Sequence, residues 1–526
     1  MGLVSIPLFL VFSLARIHTV FSYEVKKKTN TTPIEHVIVL MLENRSFDHM
    51  LGFLKKANPD IRGCLPNEEK CSNPKDPADP NSDTVTVQNT AVYVQVSPSH
   101  SIEGTTVELY GTNVADVTKD APMNGFVKSY TGTTGSVEEG EGIMKCFSTE
   151  HLPVLSQLAT EFTVFDSWHA SVPGPTMPNR AFFASGSSHG MGINDKITIA
   201  KGMPQKTMFR QLQEMGLDYR VYFELVPTML MFKDMRHKDA RSRYHHLDQL
   251  YEDLKTGDLP EFSFVEPSYY TTPKTPADDQ HPDHDVGLGE QLIANIYNLL
   301  RASPAWNSTA FIITYDEHGG FFDHVSPLVN IPNPDGYNFT DSNGNVLFDF
   351  TRGGVRVPTV VVSPWVEKGQ VIHDPVDTTK RYEHSSMIST VVHKLFRPAF
   401  GHPEPSYLNK RDSWAPTFEH IFQTLSEPRN DCPSKAKNVV LQSTLTPDAL
   451  PQQDGSALLN DLQTEILSIV AGATEDENTI MMILLLPTGL NLVLQSILLS
   501  VWTSSLNVKL FAFEYSTIFK IIYFLS

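Results

Sequence analysis

The stretch from Ile34 to Gly52, IEHVIVLMLENRSFDHMLG, decides the fold class of this chain. Its run of β-branched and other apolar residues predicts a buried strand, which ends in the polar pair Glu43 and Asn44. In open α/β sheets, ligand-binding groups gather at the carboxyl ends of the strands. Glu43 and Asn44 are therefore candidate oxygen ligands for a divalent metal, and the alternative is that they only cap the next helix.

A second segment presents a hydroxyl group on a stiff turn. Residues 162–180 read FTVFDSWHASVPGPTMPNR, a strand-like run followed by a Pro-Gly-Pro corner that leads into Thr176. Prolines restrict the backbone, and a hydroxyl whose position is fixed before reaction suits a nucleophile. The alternative is a proline-rich turn in which Thr176 only caps a helix.

A third segment repeats the design of the first. Residues 310–325 read AFIITYDEHGGFFDHV, in which a buried-strand run ends in Asp316 and Glu317 and a glycine pair follows. Two strands that each end in adjacent metal-ligand residues, together with the Thr176 hydroxyl, predict a divalent-metal site around a nucleophile. The alternative is that Asp316 and Glu317 are solvated residues at the start of a helix. The same explanation would then have to apply by coincidence to Glu43 and Asn44.

Six motifs in order resemble one family. They are ENRSFDHMLG, PGPTMPNR, DDQHP, TYDEHGGFFDHV, GVRVPTVVVSPW and EHSS, within residues 34–419. The chain resembles the phosphoesterase family that contains plant non-specific phospholipases C and bacterial acid phosphatases, and it is most similar to the plant branch. The resemblance implies an α/β fold, with an alkaline-phosphatase-like central mixed sheet between helices and a smaller C-terminal subdomain.

The resemblance also implies the roles of individual residues. One divalent metal ion of unknown identity would be bound by Glu43, Asn44, Thr176, Asp316 and Glu317. Thr176 would be the nucleophile, and the catalytic histidines near the phosphate would be His100, His245 and His281. Substrate binding or support of the nucleophile turn would fall to Asn179 and Arg180. The chain departs from the family at Ser97–His100, where an Asp-Pro-x-His stretch is usual, and His246 could exchange roles with His245.

The implied reaction is that of a phospholipase C. A metal-activated Thr176 would attack a glycerophospholipid at a membrane surface, releasing diacylglycerol and then a phosphorylated head group. Two alternatives stay open. The protein could be an acid phosphatase acting on phosphomonoesters, or an inactive homologue that binds lipids or a partner.

Composition restricts the remaining function classes. The chain has 526 residues, 40% of them apolar, which is enough for a large core. Its formal net charge of −19 argues against nucleic acid as a partner. We predict a catalytic domain over residues 34–419, a C-terminal extension over 420–473 and an apolar tail of uncertain status over 474–526.

Both termini and the cysteines bear on location. Residues 1–22 contain a short apolar region that resembles a signal peptide although Arg16 interrupts it. This pattern favours a secreted or endomembrane-lumen protein over one with a cytosolic start. Glycosylation sequons at Asn30, Asn307 and Asn338 fit that route, whereas the sequon at Asn44 should be buried, and Cys64 and Cys71 are close enough for a loop disulfide. The tail contains an uncharged run from Asn478 to Val508. It is a membrane anchor, a removable lipid-anchor signal, or an aberrant sequence from altered splicing or a wrong gene model.

Overall fold

The computed structural model describes residues 32–91, 94, 96–271, 275–402, 404–441 and 460–473. The signal segment 1–22, the sequon at Asn30 and the tail 474–526 lie outside these residues, so the expectations for them stay predictions. Within the described part of the chain, no helix has both the length and the apolar composition needed to cross a membrane.

The apolar runs form a central mixed sheet. The described strands are β1 (His36–Leu42), β2 (Ser72–Pro74), β3 (Thr84–Thr86), β4 (Thr163–Phe165), β5 (Trp168–His169), β6 (Tyr219–Phe223), β7 (Tyr244–His246), β8 (Phe262–Val265), β9 (Thr309–Tyr315), β10 (Phe339–Thr340), β11 (Val346–Phe348), β12 (Thr359–Val362), β13 (Val371–Ile372) and β14 (Tyr382–Glu383). Eight of them pair in the order β13-β4-β12-β9-β1-β8-β6-β7. Strand β12 is antiparallel to both neighbours, and the other pairs are parallel. The predicted mixed α/β sheet is confirmed.

Helices connect these strands. The described α-helices are α1 (Phe47–Leu51), α2 (Ile102–Tyr110), α3 (Phe126–Thr134), α4 (Val137–Gly140), α5 (Pro153–Glu161), α6 (Thr176–Ser185), α7 (Lys196–Lys201), α8 (Met208–Glu214), α9 (Lys238–Arg241), α10 (Leu247–Thr256), α11 (Val286–Ala302), α12 (Ser385–Met387), α13 (Arg397–Ala399), α14 (Lys410–Trp414) and α15 (Asp461–Ala473). A π-helix covers Ile388–Phe396. Short 3-10 helices cover Gly52–Lys56, Glu141–Met144, Thr228–Met231, Asp234–Arg236, Trp306–Ser308 and Glu419–Phe422.

The sheet lies between two groups of helices. Helices α5, α10 and α11 pack together and contact the sheet, while α6, α8 and the π-helix form the other group. Every residue from Val37 to Leu42 in β1 is fully buried. A central strand covered on both faces is continuously apolar rather than alternating, which is the pattern that the sequence has.

The segment between α1 and α5 encloses an apolar cluster of its own. Phe53, Val87 and Phe126 pack there with Phe321 and Phe322, which follow β9. We call residues 52–147 the insert, and its cluster joins it to the strand ends of the main sheet. The predicted disulfide between Cys64 and Cys71 is confirmed and lies in the insert.

The described C-terminal residues pack onto the same body. Helix α15 contacts α7, and the side-chain amide of Asn194 donates a hydrogen bond to Glu465. The boundary predicted near residue 420, and with it a separate C-terminal subdomain, stays a prediction.

Candidate active site

The register of the sheet brings the two polar strand ends together. Leu42 of β1 pairs with Tyr315 of β9, so Glu43 and Asp316 follow side by side at the carboxyl ends of neighbouring parallel strands. The backbone N–H of Asn44 donates to Oδ1 of Asp316 over 3.1 Å. Because the central strands are parallel, residues far apart in sequence meet at one edge of the sheet.

Thr176 joins this edge from another element. It follows the proline corner as the first residue of α6, with Pro175 at the N-cap position, and its side chain is buried. Its Oγ1 donates to Oε2 of Glu43 over 3.4 Å. The structure therefore brings the candidate nucleophile to the candidate metal ligands.

Asn179 braces the turn that carries Thr176. Its Oδ1 accepts from the N–H of Val172, and its Nδ2 donates to the carbonyl oxygens of Val172, Gly174 and Pro175. These bonds join both sides of the proline corner. They favour the supporting role over substrate binding, because they engage both ends of the amide.

Arg180 is fully buried between two carboxylates. Its Nη2 pairs with Glu43, and its Nε lies 3.2 Å from Oδ2 of Asp316. Burial raises the pKa of Glu43 well above its ordinary value, and the Arg180 guanidinium opposes that rise. In this arrangement Arg180 offsets the charge of the carboxylates, and its predicted substrate-binding role stays a prediction.

The donor atoms that remain at the strand ends fit a hard cation. The side-chain amide of Asn44 and Oε1 of Glu317 are buried and have no hydrogen-bond partner among the described residues. Buried polar atoms without partners are rare, and amide and carboxylate oxygens are the ligands that divalent cations such as Mg²⁺ and Ca²⁺ take. Asn44 also has a left-handed backbone, with φ of 56°. The predicted ligand set therefore suits an oxygen-coordinated divalent ion.

The glycine pair after Glu317 allows the close packing of this cage. A Cβ on Gly319, whose φ is +65°, would lie 2.2 Å from the carbonyl oxygen of Asn44. Any side chain there would force the two strand ends apart. The requirement for glycine follows from this contact as well as from the backbone conformation.

A second group of potential metal ligands does not suit an ion. Ligand atoms of Asp48, Cys64 and His324 lie within 4.8 Å of one another. However, the sulfur of Cys64 is bonded to Cys71 and is no thiolate. The carboxylate of Asp48 is already bound by His324 and Arg356. We therefore describe this group as a structural ion-pair network.

Two of the three predicted histidines lie at the site. The N–H of His281 donates to Oδ1 of Asp279, whose carbonyl oxygen accepts the N–H of Glu43 over 3.0 Å. The Nδ1 of His281 pairs with Asp283. His100, just before α2, follows Ser99, whose carbonyl oxygen would lie 2.4 Å from a Cβ on Gly320, so this stretch packs against the glycine pair after Glu317. His281 is buried.

His245 is not brought to this cluster. It lies on the edge strand β7, where it pairs with Tyr222 of β6, and the register places it level with Leu40 of β1. The edge strand is three strand spacings from β1, or about 14 Å. His245 also precedes the strand end, so the fold does not bring it to the other candidate residues, and its catalytic role stays a prediction.

Further residues contact the site, and two of them, Glu108 and Asp279, escaped the sequence reasoning. Nε2 of His384, in the EHSS motif, donates to the carbonyl oxygen of Asp316 over 2.6 Å. Glu108 contacts His318, and Asp279 holds the His281 stretch. Asp279 lies within the DDQHP motif and could have been selected from it. Glu108 lies on an ordinary polar helix, and nothing in its neighbourhood of the sequence marks it.

Charges around Glu317 keep it ionised. Burial would raise the pKa of Glu317, but its interactions with His100, His318 and the N–H of Gly319 hold that pKa below its ordinary value. Burial would likewise lower the pKa of His318, yet Glu108 and Glu317 raise it to about 9. An anionic Glu317 is the form that binds a cation.

Ester hydrolases use a hydroxyl nucleophile that is held beside groups able to bind a metal ion, and Thr176 with Glu43 has this arrangement. The chain belongs to the Phosphoesterase family, whose model matches residues 34–397.

The chain is similar in sequence to two proteins named as phospholipases C. Non-specific phospholipase C1 of Arabidopsis thaliana is 41% identical over 450 residues, which cover 84% of this chain and 80% of the relative. Phospholipase C A of Mycobacterium tuberculosis is 25% identical over 456 residues, covering 80% and 83%. A solved structure of an alkaline phosphatase superfamily protein from Vibrio parahaemolyticus has 12% identity and a TM-score of 0.28, covering 45% of this chain and 59% of its own. A lipoteichoic acid synthase from Listeria monocytogenes has 9% identity and a TM-score of 0.32, covering 88% and 97%.

Proposed function

We propose that this protein is a phospholipase C that hydrolyses glycerophospholipids to diacylglycerol and a phosphorylated head group. One observation carries the proposal: the Thr176 hydroxyl donates to Glu43 within an intact strand-end cluster. The similarity to non-specific phospholipase C1, at 41% identity over most of both chains, supports the phospholipid as substrate. A homologue that had lost its activity would be free to lose this cluster.

We propose that one divalent metal ion, whose identity the donor set does not select, is bound by Glu43, Asn44, Thr176, Asp316 and Glu317. The partnerless oxygens of Asn44 and Glu317 support this ligand set. When bound, such an ion lowers the pKa of a neighbouring hydroxyl and offsets charge on phosphate oxygens.

The residues of the chain supply the rest of the reaction. Oγ1 of Thr176 passes its proton to Oε2 of Glu43 and forms a bond to phosphorus, while the bond from phosphorus to the diacylglycerol oxygen breaks. A histidine, His281 or His100, donates a proton to that departing oxygen. Water then attacks phosphorus and gives a proton to the same histidine, while the bond from phosphorus to Oγ1 breaks and Glu43 returns the proton to Thr176. The phosphorylated head group is released and the threonine is restored. Asp283 orients His281 by holding its Nδ1, so Nε2 is the nitrogen available for the proton.

The products distinguish this function from its alternatives. Phosphorus NMR of a phosphatidylcholine digest should show phosphocholine, with diacylglycerol in the organic phase. Phosphatidic acid as the primary product would identify a phospholipase D, and turnover of p-nitrophenyl phosphate without cleavage of the lipid would identify a monoesterase. No turnover of either substrate would identify an inactive homologue. The Thr176→Ala variant is the control for contaminating activity.

We also propose that the protein acts on membrane surfaces along the secretory route. The disulfide between Cys64 and Cys71 supports an oxidising compartment. The sequon residues Asn307 and Asn338 are exposed, as glycan attachment requires, whereas Asn44 is buried in the site. Treatment of the secreted protein with a glycosidase should lower its apparent mass, and unmodified protein retained in the cytosol would contradict this location.

A further inference from the structure

The insert contributes a buried carboxylate next to the candidate metal cage. Glu108 lies on α2, is 1% exposed, and its Oε2 is 2.8 Å from Nε2 of His318. The other ring nitrogen of His318, Nδ1, lies 3.3 Å from Oε2 of Glu317. The imidazole therefore stands between two carboxylates, one from the insert and one from the strand end.

The contacts of Glu317 are divided between its two oxygens. Oε2 contacts His318 and accepts the N–H of Gly319 over 2.7 Å, while Oε1 has no partner among the described residues. Because these contacts fix Oε2, they also fix the position of Oε1 in the same carboxylate. The orientation of this ligand thus depends on His318.

His318 depends in turn on Glu108. The carboxylate of Glu108 is itself fixed, because its Oε1 accepts the hydroxyl of Ser129 from α3 over 3.1 Å. The two helices of the insert, α2 and α3, therefore set the position of Glu108. Removing a residue that hydrogen-bonds to a metal ligand typically lowers metal affinity or activity by 10- to 100-fold.

We propose that Glu108 is a positioning residue of the metal site: acting through His318, it fixes Oε2 of Glu317 so that Oε1 is presented to the divalent ion. The inference rests on the proposed function, because it requires an ion bound by Glu317. It makes the insert part of the catalytic apparatus. Glu108 itself touches neither the metal nor the substrate.

The test measures metal affinity rather than activity alone. Metal-free wild type, Glu108→Gln and Glu103→Gln are titrated with Mn²⁺, and the free ion is followed by electron paramagnetic resonance. Glu103→Gln is the matched control, because it makes the same change on the exposed side of the same helix. We expect Glu108→Gln to weaken Mn²⁺ binding about 10- to 100-fold, and Glu103→Gln to leave it unchanged.

A second variant tests whether Glu108 acts on Mn²⁺ binding through His318. His318→Gln should weaken Mn²⁺ binding to a similar degree, and the double variant should bind no more weakly than either single variant, because all three break one connection. Excess Mn²⁺ should restore turnover to Glu108→Gln, which a simple loss of folding would not allow. If Glu108→Gln did not fold, the Mn²⁺ affinity of His318→Gln would still test the positioning role.

The outcomes separate the inference from the proposed function. Wild-type affinity in Glu108→Gln or in His318→Gln would overturn the positioning role while leaving the metal site intact. Additive losses in the double variant would overturn the path through His318. Wild-type protein that bound neither Mn²⁺ nor Ca²⁺ would instead overturn the metal site of the proposed function, and the inference with it.

Discussion

The hydroxyl of Thr176 and the carboxylate of Glu43 form a 3.4 Å hydrogen bond, although 133 positions separate them in the chain. Thr176 begins α6, and Glu43 follows the central strand β1. One contact thus joins the proline corner to the polar strand ends. The two motifs, each ambiguous in isolation, become parts of one site.

Removing a ligand carboxylate should remove the metal. Asp316→Asn is expected to lose both bound divalent ion and turnover, because it takes a negative charge out of a cage that already contains the Arg180 guanidinium. Elemental analysis of the purified protein gives the metal content, with the exposed Asp60→Asn as the control for a lost carboxylate. A full metal content in an inactive Asp316→Asn would assign Asp316 to the substrate instead.

Full turnover should require the C-terminal helix α15, which ends at Ala473, but not the residues after it. Asn460 donates to both oxygens of Asp283, which pairs with His281, and Gln463 donates to the carbonyl of Tyr269. A chain ending at residue 473 should match the full chain in kcat, because every candidate site residue precedes that point. In a chain ending at residue 441, kcat should fall on the order of tenfold, because His281 would lose the support that Asp283 receives from Asn460.

Point variants refine that comparison. Asn460→Ala should reproduce most of the loss of kcat seen with the shorter chain. Ser468→Ala should not, since the Ser468 hydroxyl donates to the carbonyl oxygen of Glu465 in the same helix. The quantity to compare is kcat on phosphatidylcholine at saturating metal. Full activity in the chain ending at residue 441 would show that His281 needs no support from α15.

Acid should destabilise the fold through a buried histidine. His169 is 2% exposed, and burial lowers its pKa to about 3, although the Gly354 carbonyl opposes that shift. The ordinary pKa of histidine, 6.5, applies to His169 in the unfolded chain, so below pH 6.5 the unfolded chain binds a proton that the folded chain does not. Stability from this group is therefore full above pH 6.5 and decreases as the pH falls toward 3.

The effect can be isolated with one variant. Between pH 7.5 and pH 5, His169 should account for about 2 kcal/mol of lost unfolding free energy, since each pKa unit corresponds to about 1.4 kcal/mol. Urea unfolding of wild type and His169→Gln at the two pH values measures the difference. Equal losses in both proteins would show that His169 does not carry this share of the acid sensitivity.

The sequence predicts the parts of this protein that follow from local pattern. Residues Val37–Leu42 of β1 and Ala310–Ile313 of β9 are buried apolar runs, and the parallel pairing of these strands in register places Glu43 beside Asp316 where they end. The disulfide between Cys64 and Cys71 follows from their short spacing. In each case the signal lies within a few residues of the feature.

Other parts depend on packing that no local pattern encodes. The sequence leaves open whether Arg180 binds phosphate or supports the nucleophile turn, and only the fold shows that it lies between Glu43 and Asp316. Glu108 reaches His318 only because the insert folds back onto the strand ends, and His245 misses the site because its strand lies at the sheet edge. Tertiary contacts between distant segments decide these roles.

The most direct test of the account is the turnover of phosphatidylcholine by Thr176 variants, measured as released diacylglycerol at saturating metal. Thr176→Ala should retain its fold and show no turnover, because no oxygen is left to attack phosphorus, while Thr176→Ser should retain part of the wild-type rate. Wild-type turnover by Thr176→Ala, in a preparation free of contaminating esterase, would contradict the covalent threonine mechanism.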